Sequence, residues 1–85
     1  MILRTLVVGQ LKTNCYLIGC PRTREAMVID PGGDVEEILS AVRDLQVQVR
    51  QIVLTHFHFD HCLAAGPLRS ATGASLLIHR DDAQY

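Results

Sequence analysis

The strongest constraint on the fold is a run of histidine and aspartate side chains that directly follows an apolar segment, residues 52–54. Within six positions the sequence holds three of its four histidines and an aspartate, namely His56, His58, Asp60 and His61. In an extended segment the first three project to one side, while Phe57 and Phe59 project to the other. His61 breaks this period of two, which fits a turn from strand to helix. The segment therefore has to deliver several polar side chains to one region of the fold.

The donor set indicates which ions such a region could hold. Three imidazoles and a carboxylate suit zinc, iron or manganese, whereas calcium and magnesium are bound mostly by oxygen atoms. Chance clustering is the weaker interpretation, because polar groups buried at this density without partners would be costly. The segment therefore predicts a metal site with His56, His58, Asp60 and His61 as ligands, and the change of direction at His61 allows two neighbouring metal positions.

Apolar runs bounded by glycine, proline or polar residues predict the strands. They cover residues 1–8, 16–18, 26–29, 52–54 and 76–78. Short turns join the first three, which predicts an antiparallel meander. The run from Ile52 to Leu54 is free of charge, as expected of a strand covered on both faces. The candidate ligands follow its C-terminal end, where ligands gather in folds of helices and sheets.

Two further segments predict helices. Over residues 34–45 apolar side chains recur at helical spacing, and Asp34 with Glu37 has the form of a capping box. A second helix is predicted between residues 63 and 72, with Pro67 near its first turn and Gly73 as its stop. The order βββαβαβ predicts an α/β fold with the helices on one side of a mixed sheet.

These residues carry a family resemblance. Residues 55–61 read THFHFDH and match the HxHxDH motif of the metallo-β-lactamase fold hydrolases. The chain resembles most the glyoxalase II-like branch, that of the hydroxyacylglutathione hydrolases, and segments 13–18, 28–33 and 78–83 resemble other parts of that family. The resemblance implies that residues 1–85 form the N-terminal part of a single domain, half of a four-layer αββα sandwich.

The resemblance also implies roles for the motif residues. His56 and His58 match two ligands of a first metal, and Asp60 and His61 match ligands of a second. Two zinc ions are expected in the complete site, with iron or manganese as possible metals. The implied reaction is hydrolysis of a thioester such as an acyl-glutathione by a metal-bound hydroxide, with Asp60 as the catalytic residue that orients the water. The family's remaining ligands come from later positions than Tyr85, and His79 matches none of them.

Several alternatives stay open at this stage. The same motif would serve an iron-dependent persulfide dioxygenase, and the chain could instead be a truncated, non-catalytic fragment that binds metal weakly. Asp30 either caps a turn or, as the resemblance implies, holds the outer nitrogen of a ligand histidine. Cys62 is either a buried thiol at a helix start or a thiolate favoured by a nearby metal, and His79 is a surface histidine or a ligand.

Composition excludes some classes of function. Eight basic against nine acidic residues give a formal charge of −1, so nothing favours a nucleic-acid partner. No run approaches the roughly 20 apolar residues that cross a bilayer, and the three cysteines form no CxxC pair. Cys15 is expected in a strand and Cys20 in a surface turn. We expect a cytoplasmic protein with reduced thiols, a small-molecule thioester substrate, no membrane partner, and either self-association or a complementing C-terminal half.

Overall fold

In the computed structural model, a mixed sheet carries two helices within the part of the chain that the structure describes, residues 1–10, 12–55 and 65–78. In chain order the elements are β1 (Ile2–Val8), β2 (Thr13–Gly19), β3 (Glu25–Ile29), α1 (Val35–Leu45), β4 (Gln48–Leu54), α2 (Ala65–Thr72) and β5 (Ser75–Ile78). The predicted order βββαβαβ is confirmed. β2 and β4 begin earlier than predicted, because polar residues at their starts still pair with neighbouring strands.

The strands follow one another across the sheet in the order β1-β2-β3-β4-β5. The first three pair antiparallel, which confirms the meander, whereas β3 pairs parallel with β4 and β4 parallel with β5. Four strands therefore end at the same edge of the sheet, namely β1, β3, β4 and β5. We call this the site edge, because the histidine-rich segment follows the end of β4 there.

One face of the sheet packs against both helices. The core between them consists of side chains that are almost completely buried, among them Leu17, Val28, Ile38, Ile52, Leu54 and Leu68. Both helices connect neighbouring parallel strands, so right-handed crossovers put them on the same side, and the helices contact each other. The prediction of helices on one side is confirmed.

Within the described part of the chain β4 is covered on one face, and the covering of its other face stays a prediction. Ile52 and Leu54 are buried under the helices, but Val53, which points the other way, is only half-buried. No described element lies over that second face.

The helix ends use contacts that the sequence pattern did not predict. Asp34 is the N-cap residue of α1, but it lies in the left-handed region and makes no side-chain cap hydrogen bond, so the predicted capping box is wrong. At the other end of α1, Arg24 donates to the carbonyl oxygens of Leu45 and Gln46, which satisfies acceptors that a helix end leaves free.

The second helix follows its prediction more closely. Pro67 lies in the first turn of α2, and Gly73, at a φ of 70°, ends it with a hydrogen bond from its amide to the carbonyl of Arg69. Within the described ranges, no helix has the length and apolar character needed to span a membrane.

The packing of α1 on the sheet can be tested at Ile38, which has 0% exposure. Replacing Ile38 with Ala removes apolar contacts and leaves a cavity, so we expect the free energy of unfolding to fall by about 2 to 5 kcal/mol in urea melts. Ser40→Ala, at an exposed position of the same helix, is the matched control and should change it by less than about 0.5 kcal/mol. Equal losses in the two variants would contradict this packing.

Candidate metal centre at the site edge

Two glycine-containing turns meet closely at the site edge. Gly9, just after β1, has a φ of 79°, and a Cβ added to it would come within 2.9 Å of the Gly32 carbonyl oxygen. A Cβ on Gly33 would come within 2.7 Å of the Gly9 Cα atom. Only glycine allows this approach of backbone to backbone. The amide of Gly9 donates to Oδ2 of Asp34 at 3.0 Å, so the carboxylate expected to cap a helix instead joins the two turns.

Asp30 connects the ends of two neighbouring strands at this edge. It directly follows β3, is only 5% exposed, and its amide donates to the Val53 carbonyl oxygen at 2.8 Å. Its carboxylate accepts two hydrogen bonds from Thr55, one from the amide to Oδ1 at 2.8 Å and one from the hydroxyl to Oδ2. A buried carboxylate accepting such bonds holds its donors firmly, because charge-assisted hydrogen bonds are stronger than neutral ones.

The backbone of Asp30 is unusual as well. Its φ of 56° lies in the left-handed region, which non-glycine residues occupy at some energetic cost unless their surroundings over-determine it. Aspartate tolerates this region better than most residues, since its short polar side chain bonds locally. The surrounding hydrogen bonds therefore hold Asp30 in a conformation that aims its carboxylate across to Thr55.

The hydrogen bonds between Asp30 and Thr55 lie next to the predicted metal ligands in the chain. Thr55 immediately precedes His56, so the Asp30 carboxylate fixes the point from which the histidine-rich segment leaves the sheet. The ligands themselves, His56, His58, Asp60 and His61, lie outside the described residues, as do Phe57, Phe59, Cys62 and His79. Their convergence on a metal stays a prediction. Within residues 1–10, 12–55 and 65–78, no three histidine, cysteine, aspartate or glutamate side chains are grouped to hold an ion.

Two cysteines have opposite environments. Cys15 on β2 is fully buried, and burial followed by the negative charge of Asp30 raises the pKa of its thiol to about 12. It is a small apolar strand residue, as predicted, and stays protonated at neutral pH. Cys20 lies exposed after β2, as predicted for a turn, and hydrogen bonds led by the Thr23 side chain lower its pKa. Neither thiol lies at the site edge in a form suited to bind metal.

A cavity of about 690 Å³ opens at the opposite end of the sheet, lined in part by Met1, Ile18, Met27 and Arg50. Its lining comes from the end of β2 and the starts of β3 and β4. It therefore lies away from Asp30 and Thr55 and is not part of the candidate centre.

Comparison with known proteins shows which protein family this chain is similar to. The family model described as the metallo-beta-lactamase superfamily matches residues 8–85. A hydroxyacylglutathione hydrolase of Polaromonas sp. is 40% identical over 80 residues, which is 93% of this chain and 30% of that protein. The chain spans about a third of the length of the curated relatives it matches.

Solved structures agree with the fold described above. The B3 metallo-beta-lactamase BLEG-1 superposes with a TM-score of 0.88 at 29% identity, covering 98% of this chain and 39% of that one. TTHA1623, solved in a di-iron-bound form, superposes with a TM-score of 0.83 at 31% identity, covering 95% of this chain and 40% of that one.

The two hydrogen bonds from Thr55 to the Asp30 carboxylate, which we call the Asp30 clamp, can be tested by unfolding experiments. Asp30→Ala removes both acceptors of Thr55, so we expect the free energy of unfolding to fall by about 3 kcal/mol or more. Thr55→Val removes only the hydroxyl donor and should lower it by about 1 to 3 kcal/mol. Thr55→Ser keeps both donors and is the matched control. A serine variant as unstable as the valine variant would show that the hydroxyl bond contributes little.

The buried thiol predicts a specific response to alkaline pH. Unfolded Cys15 ionises near its ordinary value of 9.0, whereas the folded pKa is about 12, so the folded state favours the neutral thiol. Its contribution to stability is complete below pH 9.0 and is lost as the pH rises towards 12. We expect the free energy of unfolding to fall by up to about 1.4 kcal/mol per pH unit in this window. Cys15→Ala should lack this part of the slope in parallel urea melts.

Proposed function

Because the chain belongs to the metallo-β-lactamase superfamily, we propose that it supplies metal ligands to a hydrolase that cleaves thioesters such as acyl-glutathione. The observation that carries this proposal is the clamp between the Asp30 carboxylate and Thr55, which anchors the residue just before the histidine-rich segment. The hydroxyacylglutathione hydrolase of Polaromonas sp., at 40% identity, supports the choice of substrate class.

The donor set beyond Thr55 fits a metal centre. His56 and His58 would hold a first ion, and Asp60 and His61 would hold a second. Imidazole and carboxylate donors accept zinc as well as iron or manganese. When bound, such ions lower the pKa of coordinated water and polarise the carbonyl oxygen of a substrate.

The residues of this chain would then have distinct tasks. Asp60 would orient the attacking water and could carry its proton, as a carboxylate within hydrogen-bond reach can do. Asp30 would act as a positioning residue, because it holds Thr55 at the start of the ligand segment. Such partners of ligand residues commonly change metal affinity about 10- to 100-fold when removed. Further ligands and the substrate pocket would come from a longer protein, in keeping with the share of its relatives that this chain spans.

A second candidate function uses the same residues with another metal. An iron-dependent persulfide dioxygenase is supported as this candidate by a structural relative, ETHE1 from Myxococcus xanthus, which superposes with a TM-score of 0.81 at 39% identity. Oxygen consumption with a persulfide substrate, and iron as the metal bound on purification, would support it. Thiol release from a thioester without oxygen would support hydrolysis instead.

A third candidate is not an enzyme. The chain on its own would be a metal-binding fragment without turnover, because two ligands for each ion fall short of the three that a catalytic zinc normally keeps. Metal titration and activity assays, carried out separately, distinguish this candidate from both enzymes.

We expect His58→Ala to weaken zinc binding by more than the 10- to 100-fold typical of losing a ligand's hydrogen-bond partner, as measured by calorimetric titration. His79→Ala is the matched control, since it removes a histidine that matches no ligand of the family. Asp30→Ala should have an intermediate effect at temperatures where circular dichroism shows a folded chain. Equal losses in the two histidine variants would contradict the assignment of ligands.

We further expect the 85-residue chain alone to show no thioester hydrolysis, and a longer protein that contains it to hydrolyse acyl-glutathione and to lose this activity with a chelator. The assay follows thiol release, with metal content measured on both proteins. Chelator-sensitive turnover by the 85-residue chain as a monomer would contradict the need for further ligands.

A further inference from the structure

The basic side chains of the described residues are unevenly distributed between the two ends of the sheet. Four strands end at the site edge, whereas β2 and both helices begin on that side. Arginines lie in the first halves of strands, in the last turns of helices or in the turn between β2 and β3, namely Arg4, Arg50, Arg43, Arg69, Arg22 and Arg24. All of these positions are away from the site edge. Lys12 differs from them, because the turn between β1 and β2 lies at the site edge.

Backbone contacts hold Lys12 in place at this edge. Its φ is 54°, and its amide donates to the Gly9 carbonyl oxygen at 3.1 Å, which closes the turn. Gly9 is attached in its own right to the segment that follows Asp30. A Cβ on Gly9 would come within 2.9 Å of the Gly32 carbonyl oxygen, and the Gly9 amide donates to Asp34 at 3.0 Å. The backbone of Lys12 is therefore tied to the same segment as the Asp30 clamp.

The strand register brings Lys12 close to the start of the ligand segment. Tyr16, Ile29 and Val53 are successive register partners on β2, β3 and β4. Along the strand direction Lys12 lies about 13 Å beyond this row and Thr55 about 7 Å beyond it, and two strand spacings separate them sideways. Their Cα atoms are therefore about 12 Å apart. A tripeptide is about 10 Å long when it is extended, so a substrate of this size would extend from the ligand segment towards Lys12.

The charges around Lys12 give its ammonium group a role towards an anionic ligand. Asp30 and Asp34 lie at the site edge, and two glutamates occupy the first turn of α1. Such carboxylates repel an anion, and a nearby ammonium offsets the repulsion because opposite charges attract. Among the described side chains the ion pair is that of Arg50 with Glu25 at the other end, so no carboxylate there neutralises Lys12. The site edge therefore holds one described cation that an anionic substrate can use.

We propose that Lys12 is a specificity-determining residue whose ammonium group pairs with the glycine carboxylate of a glutathione thioester. This inference rests on the proposed function, since the thioester bond has to reach the metal centre next to Thr55. The chemistry of the tripeptide selects the carboxylate. Its glutamyl carboxylate stands beside an α-ammonium group that repels lysine, whereas its glycine carboxylate carries an uncompensated negative charge.

The test uses a longer protein that contains this chain, with its metal bound. Lys12→Gln should raise the KM for S-acetylglutathione about fivefold, the size of effect expected of an exposed ion pair. The kcat should stay unchanged, because the pair forms equally with substrate and transition state. Lys12→Arg keeps the charge and should stay within about twofold of the unmodified protein. Arg22→Gln is the matched control, since it removes an exposed cation at the opposite end of the sheet.

A second substrate identifies the group that Lys12 binds. With S-acetylglutathione whose glycine carboxylate is converted to an amide, the unmodified protein and Lys12→Gln should have the same KM. Raising the ionic strength should reduce the difference between the two proteins for the unblocked substrate only, because salt screens exposed charges. The proposal is overturned if Lys12→Gln leaves the KM for S-acetylglutathione unchanged, if the amide substrate shows the same rise, or if Arg22→Gln raises the KM equally.

A binding measurement separates this inference from the proposed function. S-hexylglutathione is a thioether that cannot be hydrolysed, and its calorimetric Kd should rise about fivefold in Lys12→Gln but not in Arg22→Gln. Binding that depends on Lys12 without any thioester cleavage would contradict the hydrolase and support this inference. Cleavage with KM and Kd unchanged in Lys12→Gln would contradict this inference alone. An unmodified protein that neither binds nor cleaves would contradict both. Circular dichroism confirms that each variant is folded before it is compared.

Discussion

The hydrogen bonds between the Asp30 carboxylate and Thr55 are the constraint on which the candidate centre depends. They join the end of β3 to the end of β4 through a side chain that is 5% exposed, in a backbone conformation that few residues tolerate. Burying a carboxylate is unfavourable unless its oxygens accept strong hydrogen bonds. The two bonds from Thr55 supply part of that compensation and, in doing so, fix the exit of the ligand segment from the sheet.

The surroundings of this clamp make it rigid. The Gly9 turn packs against Gly32 and Gly33 at distances that no Cβ would allow, and Asp34 links the two turns through the Gly9 amide. Cys15 lies buried close enough to Asp30 for the carboxylate charge to raise the pKa of its thiol further. A thiol held neutral next to a carboxylate adds no second negative charge to the edge. Among the described residues, the site edge thus combines close backbone contacts with the buried charge of Asp30.

The two faces of the sheet differ in how deeply their side chains are buried. The helix side holds the core, with Leu17, Ile38 and Ile52 completely buried. The face opposite the helices contributes little to that core: its central row of register partners, from Thr5 to Leu77, contains no fully buried residue.

By itself the sequence determined the order of elements, the side of the helices and the donor set of the motif. These depend on the periodicity of apolar residues, on glycine and proline at the ends of helices and strands, and on residue types that lie close together along the chain. α2, for example, is bounded by Pro67 and Gly73, whose backbone preferences act within a turn. The family resemblance rested on such local runs too.

The tertiary structure alone decided which polar groups pair at the site edge. The bonds from Gly9 to Asp34 and from Thr55 to Asp30 each span 25 positions, so no local pattern predicts them. The pattern of Asp34 and Glu37 indicated a capping box, but a φ of 52° at Asp34 turns its side chain towards the neighbouring turn. Likewise an uncharged run at residues 52–54 is equally typical of a strand with two covered faces and of one with an exposed apolar face. Only the tertiary structure shows which of these faces the two described helices cover, because that depends on contacts between elements that are far apart in the chain.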